Sequence, residues 1–396
     1  MLPTLSADAL AGLQVLDFTI VMSGPMCTRM LADAGADVIK VEPPEGDVVR
    51  QRAPVRGGIS TYYASMNCGK RSIVLNLATD EGKALARQLA AQADVVVENF
   101  RPGVMKRLGL DHAALSAVNP RLIYASISGF GQTGPKAGAP AYAPVIHAAS
   151  GYEAANIGYQ NDTSDQSRPA NNGIFLADVL GASYAFGAIQ MALVERTNSG
   201  RGQHIDVSLM DSVLGMLIYE MQAAQFPPER KRQVYEPVRS QDGWVMVAAV
   251  TPKNQDALFD VIGRPEAKTD PRFCTVAAKE SHWPALLEMI EAWTRQRSGE
   301  ECEQVLMAAG VPCSRYRSVA EAMADPQLAE RGFLAELGEG DGRFKCANLP
   351  FLMSRTPTRA RARLAQLGED GDAVLREKLG LDEARLAALH ARGVLG

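Results

Sequence analysis

Histidine is scarce: five occur among 396 residues. His112, His147, His204, His282 and His390 are far apart and show no metal-ligand spacing. No HExxH is present, so chemistry begun by a histidine base or a bound zinc has little to rest on. A satisfied core or surface position is the ordinary alternative for each. The six cysteines (Cys27, Cys68, Cys274, Cys302, Cys313, Cys346) form no CxxC pair, which reads as buried or idle thiols in a reducing compartment. The cytoplasm is the expected location, and Met1–Thr4 lacks the charged-then-apolar pattern of a secretory leader. No apolar run approaches the ~18 residues of a spanning helix, so no membrane partner is expected. There is no GxSxG, and Gly69-Lys70 is no phosphate loop, because Ala64 and Arg71 occupy positions that need Gly and Ser or Thr.

The charge balance is also even, with 41 basic against 45 acidic residues and a net charge of -4. That argues against duplex nucleic acid as the main partner. What remains is a globular composition, 46% hydrophobic and 22% charged, in a chain long enough for two domains.

The first third reads as a doubly wound α/β layer. Gln14–Phe18 is a short apolar run, Met26, Met30 and Leu31 recur at helical spacing up to Gly35, and Asp37–Glu42 is a second strand. Strand, helix, strand implies a parallel pair joined by a crossover. The theme returns with a helix over Asp80–Gln92 and strands at Asp94–Val97 and Leu122–Ser126. From Gly173 to about Gln222 the spacing predicts helix, in two stripes. Phe175, Val179, Ala182, Phe186, Ile189 and Leu193 make the first; Val207, Met210, Val213, Leu214 and Leu217 make the second, with Gly200 ending the first helix. Phe226–Arg232 is a polar, Pro-containing linker. Trp244–Ala248 opens a smaller α/β unit with helices near 252–262, 283–296 and 299–309 and a strand at Val311–Tyr316. The tail from Ala360 reads as helical.

Three features carry candidate chemistry. Gly129-Phe130-Gly131-Gln132-Thr133-Gly134 matches a dinucleotide fingerprint, but Pro135, Gly138 and Pro140 follow where a helix must start, so no nicotinamide site is expected. Asp178 interrupts the first apolar stripe near the start of its helix. It is either a first-turn residue favoured by the helix dipole or a nucleophile, with Gly181, Ala182 and Ser183 leaving room for a ligand. An aspartate, with an ordinary pKa of about 3.9, needs no activating base at neutral pH. Val97–Gly103 lies past a strand's carboxyl end, where open α/β sheets bind ligands. Asn99 offers hydrogen bonds, Phe100 a stacking surface, and Arg101 and Arg107 phosphate partners, although such a stretch is also an ordinary turn.

Taken in order, the segments Val15–Thr19 with Gly24-Pro25, Gly35–Glu42, Asn67–Ile73, Val97–Phe100, Ser128–Gly131, Asp178, Gly200–Gln203, Asp242–Trp244, Ala309–Cys313 and Ala391–Leu395 resemble the class III CoA-transferase family over nearly the whole chain. The resemblance implies a large Rossmann-like domain of residues 1–225 completed by 331–396, and a smaller α/β domain of residues 226–330. It further implies an interlocked homodimer with the site between domains and subunits. Asp178 falls on the family's catalytic aspartate, which forms an aspartyl mixed anhydride and then an aspartyl-CoA thioester. Coenzyme A contacts are implied for Met22 and Ser23, for Leu75, Asn76 and Leu77 at the adenosine end, for Asn99, Phe100, Arg101 and Arg107 near the phosphates, and for Tyr142 near the thiol. No metal is implied.

Departures exist. Met22 replaces a glutamine of formyl-CoA transferase, Pro43 and Pro140 replace basic contacts, and no glycine run follows the linker, which points away from formyl and oxalate. Succinyl-CoA is the expected donor and a short carboxylic or dicarboxylic acid the partner substrate, with Arg50 and Arg239 as candidates for a distal carboxylate. Two alternatives stand beside this. One is an α-methylacyl-CoA racemase of the same fold, whose His and Glu are here Ala139 and Thr251; the other is a non-catalytic CoA-binding protein.

Overall fold

The computed structural model describes residues 8–160, 168–229 and 232–396; Met1–Thr4 and, within the linker, Arg230 and Lys231 lie outside them. The chain forms two units, Met1–Gln225 with Leu328–Gly396, and Phe226–Gln327.

In the larger unit the valine-rich runs become strands of one sheet: β1 (Gln14–Asp17), β2 (Asp37–Glu42), β3 (Arg71–Val74), β4 (Val95–Glu98), β5 (Ile123–Ser128) and β6 (His204–Ser208). All neighbours pair in parallel, in the order β3-β2-β1-β4-β5-β6. Both faces of the central strands are covered, which is why β1 and β4 read as nearly continuous apolar runs, while the edge strand β6 alternates. Val15, Val38, Val95, Val97 and Ile123 enter one core, whereas Leu16, Ile39, Ile73, Val96 and Tyr124 enter the other. The first face is closed by α1 (Ser23–Asp33), and the second by α2 (Asp80–Gln92), whose Thr79 cap accepts from the Gly82 N–H. The long helix α3 (Leu176–Ser199) lies on the first face against α1 and β5. After β6 comes α4 (Leu209–Met216), and the tail helices α5 (Gly371–Leu379) and α6 (Glu383–Ala391) return Val374, Leu375, Leu386 and Leu389 to the second core.

Four expectations are corrected here. The stretch after Gly200 is not helix throughout: five residues form β6, in register with β5 from Tyr124↔His204 to Ser128↔Ser208. Val207 belongs to that strand, and Ser208 then caps α4 by accepting from the Asp211 N–H. Residues 360–370 are irregular, and the tail becomes helical only at Gly371. Contrary to the expectation that nothing reaches spanning length, α3 is long and apolar enough, by length and composition, to cross a membrane. Its alanine and glycine face is packed on the sheet, while Tyr184, Met191 and Val194 on the rest of the helix are exposed. Finally, Gly181 leaves no room for a ligand, because a Cβ there would come within 2.3 Å of Leu209 Cδ2; the space belongs to packing between α3 and α4.

The smaller unit holds a three-stranded antiparallel sheet in the order Cys313–Arg315, Trp244–Val247, Val238–Arg239. Helices Pro252–Val261, Trp283–Thr294 and Gly299–Ala308 enclose Val245, Val247, Phe259 and Ile290.

A buried ionic cluster sits at the carboxyl ends of β1 and β2. Asp17 accepts from the Thr19 N–H (2.8 Å), the hydroxyls of Thr19 (2.5 Å) and Thr28 (2.7 Å), and Lys70 Nζ (3.0 Å). Lys70 also donates to Pro25 O and Asn67 Oδ1, while Lys40 Nζ donates to Thr19 O at 2.7 Å and to Asp47 at 3.1 Å. Burial alone would raise the Asp17 carboxyl; Lys70, Lys40 and the two hydroxyls outweigh it and hold it below its ordinary value. Removing one member leaves a charge without its counter-ion in the interior. Asp17→Asn is therefore expected to cost about 3–5 kcal/mol in urea unfolding at neutral pH. An unchanged midpoint would show that Lys70 does not depend on this carboxylate.

Candidate active site

The site is built on the loops leaving β1, β4 and β5 and on the first turn of α3. Asp17 ends β1, and the chain turns sharply over Phe18–Met22 into α1. Val21 adopts φ +67°, a left-handed conformation that a β-branched residue enters only when its surroundings impose it. The surroundings do. Asn99 takes the Ile20 N–H on Oδ1 and returns a hydrogen bond from Nδ2 to Ile20 O, both at 2.8 Å, and Asp47 accepts from the Val21 N–H at 3.4 Å. Gly24 completes the turn, since a Cβ there would lie 2.3 Å from Thr19 Cγ2. Asn99, expected to meet a nucleotide, thus braces this loop through both its amide atoms. Phe100 is set by its own N–H donating to Glu98 at 2.9 Å.

Asp178 stands in the first turn of α3, which has no side-chain cap of its own. An imidazole stands in. His147, fully buried, accepts the Ala177 N–H on Nε2 at 3.2 Å, which places its proton on Nδ1. Burial pushes the Asp178 carboxyl up to about 6, opposed by hydrogen bonds from the hydroxyl and backbone of Ser23. At neutral pH the group is mostly ionised, yet poorly solvated, a combination that favours a nucleophile.

Two cavities meet at this carboxylate. The first, about 320 Å³, is lined by Met22, Ser23, Asn99, Phe100, Arg101 and Tyr142 among others, and by Asp178. The second, about 570 Å³, shares Val21, Met22, Tyr142 and Asp178 with it and runs towards Val48 and Arg52. A third cavity of about 700 Å³ adjoins the first through Ile20 and Phe100, and there Leu75, Asn76 and Leu77 are found. The fold therefore gathers seven of the sequence-selected residues around one cavity and three around its neighbour. Arg107 lines none of the three; it lies exposed on the short helix Val104–Leu108.

Of the two arginines singled out for a distal carboxylate, Arg50 is spent on a counter-ion, and Arg239 lies outside the cavities that Asp178 lines. Arg50 is held bidentately by Glu42 (2.7 and 2.6 Å) and stacks on Tyr63, while Arg239 lies over Trp244 in the smaller unit. The histidines are less separate than their spacing suggests, for His112 and His204 stack at 5.1 Å. The Gly129–Gly134 segment leaves β5 as loop, and the next helix begins only at Ala143. Arg52 escapes sequence reasoning altogether, whereas His147 is read there only as a satisfied core or surface residue, and its place at the start of α3 is not foreseen. An unpaired cation two residues past Arg50 was the one available hint of the former.

The profile of CoA-transferase family III matches residues 10–371. The chain belongs to that family. An acetyl-CoA:oxalate CoA-transferase of Acetobacter aceti is 37% identical over 94% of this chain and 96% of its own. A succinate–glutarate CoA-transferase of Agrobacterium fabrum is 35% identical over 93% and 95%. Among solved structures, a CAIB/BAIF family protein from Brucella suis superposes with a TM-score of 0.80 at 33% identity, covering 94% of this chain and all of that one. The mixed α/β fold with its parallel sheet is thus that of the family, and the protein is a CoA-transferase.

In this CoA-transferase the raised Asp178 carboxyl carries a stability signature. With a folded value of about 6 against an ordinary 3.8, the folded state holds the proton more tightly than the unfolded one. The charge penalty is therefore complete above pH 6 and fades as pH falls towards 3.8. Asp178→Asn is expected to melt a few degrees above the parent at about pH 8 and to lose most of that advantage near pH 4.5. Equal melting temperatures at the higher pH would remove the burial penalty.

Proposed function

We propose that the protein is an acyl-CoA:carboxylate CoA-transferase with Asp178 as nucleophile, moving CoA from succinyl-CoA or a similar donor to a short carboxylic or dicarboxylic acid. The observation that carries the reading is one partly desolvated carboxylate lining two cavities at once. The arm through Phe100 and Arg101 suits pantetheine and phosphates, since the Arg101 guanidinium pairs with no group among the described residues. The neighbouring cavity at Leu75–Leu77 suits the adenosine end, and the other arm suits the acyl group.

The Asp178 carboxylate attacks the thioester carbonyl, the C–S bond breaks, and a mixed anhydride and CoA thiolate result. The thiolate then attacks the aspartyl carbonyl, releasing the donor acid and leaving an aspartyl-CoA thioester. The acceptor carboxylate attacks that thioester, regenerating thiolate and a new anhydride. Attack by the thiolate on the acceptor's acyl carbon yields the new acyl-CoA and free Asp178. One thioester replaces another, so no nucleotide is consumed, in keeping with a sequence that has no phosphate loop.

The printed activities of the relatives, acetyl-CoA:oxalate and succinate–glutarate CoA transfer, support carboxylate acceptors in general. Against a racemase, the position of its base is Ala139, and Thr251 is occupied in capping the helix Pro252–Val261. The strand order of the larger unit supports the Rossmann-like description. An apolar outer face on α3, with Tyr184, Met191 and Val194 exposed, supports a homodimer. Six free cysteines favour a cytoplasmic location.

Hydroxylamine added during turnover should convert Asp178 to a hydroxamate, read by peptide mass spectrometry. Asp178→Ala should lower label exchange from acyl-CoA into free acid by at least about 10³-fold. Undiminished exchange in that variant would falsify the nucleophile. Solvent deuterium entering the α-carbon of a branched acyl-CoA without any acceptor would favour the racemase instead.

A further inference from the structure

The cavity running from Asp178 towards Arg52 is apolar over most of its wall, with Val21, Val48, Val49, Tyr62 and Phe175 among its lining. Two charged side chains line it, Asp178 and Arg52. They do not pair with each other, so space separates them, and Arg52 lines only this arm whereas Asp178 also lines the other. The Arg52 guanidinium has no carboxylate partner among the described residues; its contact is with the ring of Tyr62, 5.0 Å from the centroid. Tyr62 in turn donates to Met22 Sδ at 3.5 Å, and both line the cavity together with Asp178.

The backbone that presents Arg52 is fixed. Its N–H donates to Val49 O at 3.1 Å, and its carbonyl accepts the Ser60 hydroxyl at 2.5 Å. Two residues earlier, Arg50 is consumed by Glu42. An exposed cation without a counter-ion, lining an otherwise apolar chamber, is a binding group for an anion, because a guanidinium and a carboxylate pair through charge-assisted hydrogen bonds. The anion must be joined to the reacting carbonyl by an aliphatic body that fills the chamber.

We propose that this cavity selects aliphatic dicarboxylic acyl groups, with the thioester carbonyl at Asp178 and the distal carboxylate paired with Arg52. Oxalate, whose carboxyls share one bond, has no body with which to reach both charges; a glutarate-length or longer chain has. The proposal rests on the CoA-transferase reading of Asp178, and it adds the residue that distinguishes a dicarboxylic from a monocarboxylic substrate.

The test separates binding from turnover. Full-length Asp178→Asn protein, with and without Arg52→Gln, is titrated calorimetrically with glutaryl-CoA and with pentanoyl-CoA, which differ at the acyl terminus by a carboxylate in place of a methyl. Arg52→Gln should weaken glutaryl-CoA about tenfold or more and leave pentanoyl-CoA within about twofold, with Arg52→Lys restoring part of the loss. An equal loss for both esters would make Arg52 a contact of the CoA portion and overturn the proposal, as would no loss for either. Failure of both esters to bind would overturn the site as well as the selectivity. Selective binding by a parent enzyme that transfers nothing would sink the role of Asp178 while upholding that of Arg52.

Discussion

The site depends on charges buried beneath it. Asp17 gathers Thr19, Thr28 and Lys70, and Lys40 ties the carbonyl of Thr19 to Asp47. Asp47 then reaches both the loop that carries Met22 and, through the Val49 N–H, the segment that carries Arg52. Such a cluster is costly to desolvate, and an apolar core of equal volume is often as stable. What it adds is direction. Each ammonium donates to only a few oxygens at fixed distances, and two loops without regular structure are thereby held against the same strand ends. The strained φ of Val21 is tolerable because hydrogen bonds from both sides leave the loop no cheaper path.

Asp178 is pulled in two directions. Burial disfavours its negative charge, while hydrogen bonds from the hydroxyl and backbone of Ser23 favour it. Burial prevails in part, and the value near 6 expresses the balance. A carboxylate fully solvated in this place would attack thioesters feebly, because its shell of water must first be shed. One more deeply buried would be protonated at neutral pH and inert. His147 matters to this balance without touching the reacting atoms. By accepting the Ala177 N–H it uses one of the helix-end donors that would otherwise turn towards solvent or towards the carboxylate.

How much of this was legible in the sequence follows from how local each signal is. The central strands and α2 were readable because their patterns are self-contained; Asp37–Glu42 and Asp80–Gln92 were bounded correctly. The edge strand β6 was not, because it is short and lies between two apolar helices, and its Val207 falls in step with the stripe of the second. Its alternation of His204, Asp206 and Ser208 with Ile205 and Val207 becomes decisive only when β5 supplies a partner. Asp178 was visible as a carboxylate interrupting an apolar stripe. Gly181 was visible too but misread, since nothing nearby in the chain reveals that Leu209 fills the space beside it. Arg50 and Arg52 look alike in sequence, and only the pairing of Arg50 with Glu42 across the end of β2 tells which guanidinium is spent.

Exchange of one thioester for another needs little driving force, so the difficulty of the reaction lies elsewhere. In the proposed mechanism the aspartyl anhydride and thioester are as open to water as to the acceptor acid, and each hydrolytic event would discharge a CoA ester to no purpose. The arrangement around Asp178 answers this by position. Its two cavities share Val21, Met22 and Tyr142 at the junction; the arm towards Arg52 is walled mostly by apolar side chains, while Ser23 of the other arm hydrogen-bonds the carboxylate through its hydroxyl and backbone. Water finds few hydrogen-bond partners at such a wall. In the proposed scheme, an acceptor acid that brings its own hydrocarbon to cover the wall enters more readily than water does, so one apolar surface would serve both the preference for transfer over hydrolysis and the proposed preference among acids.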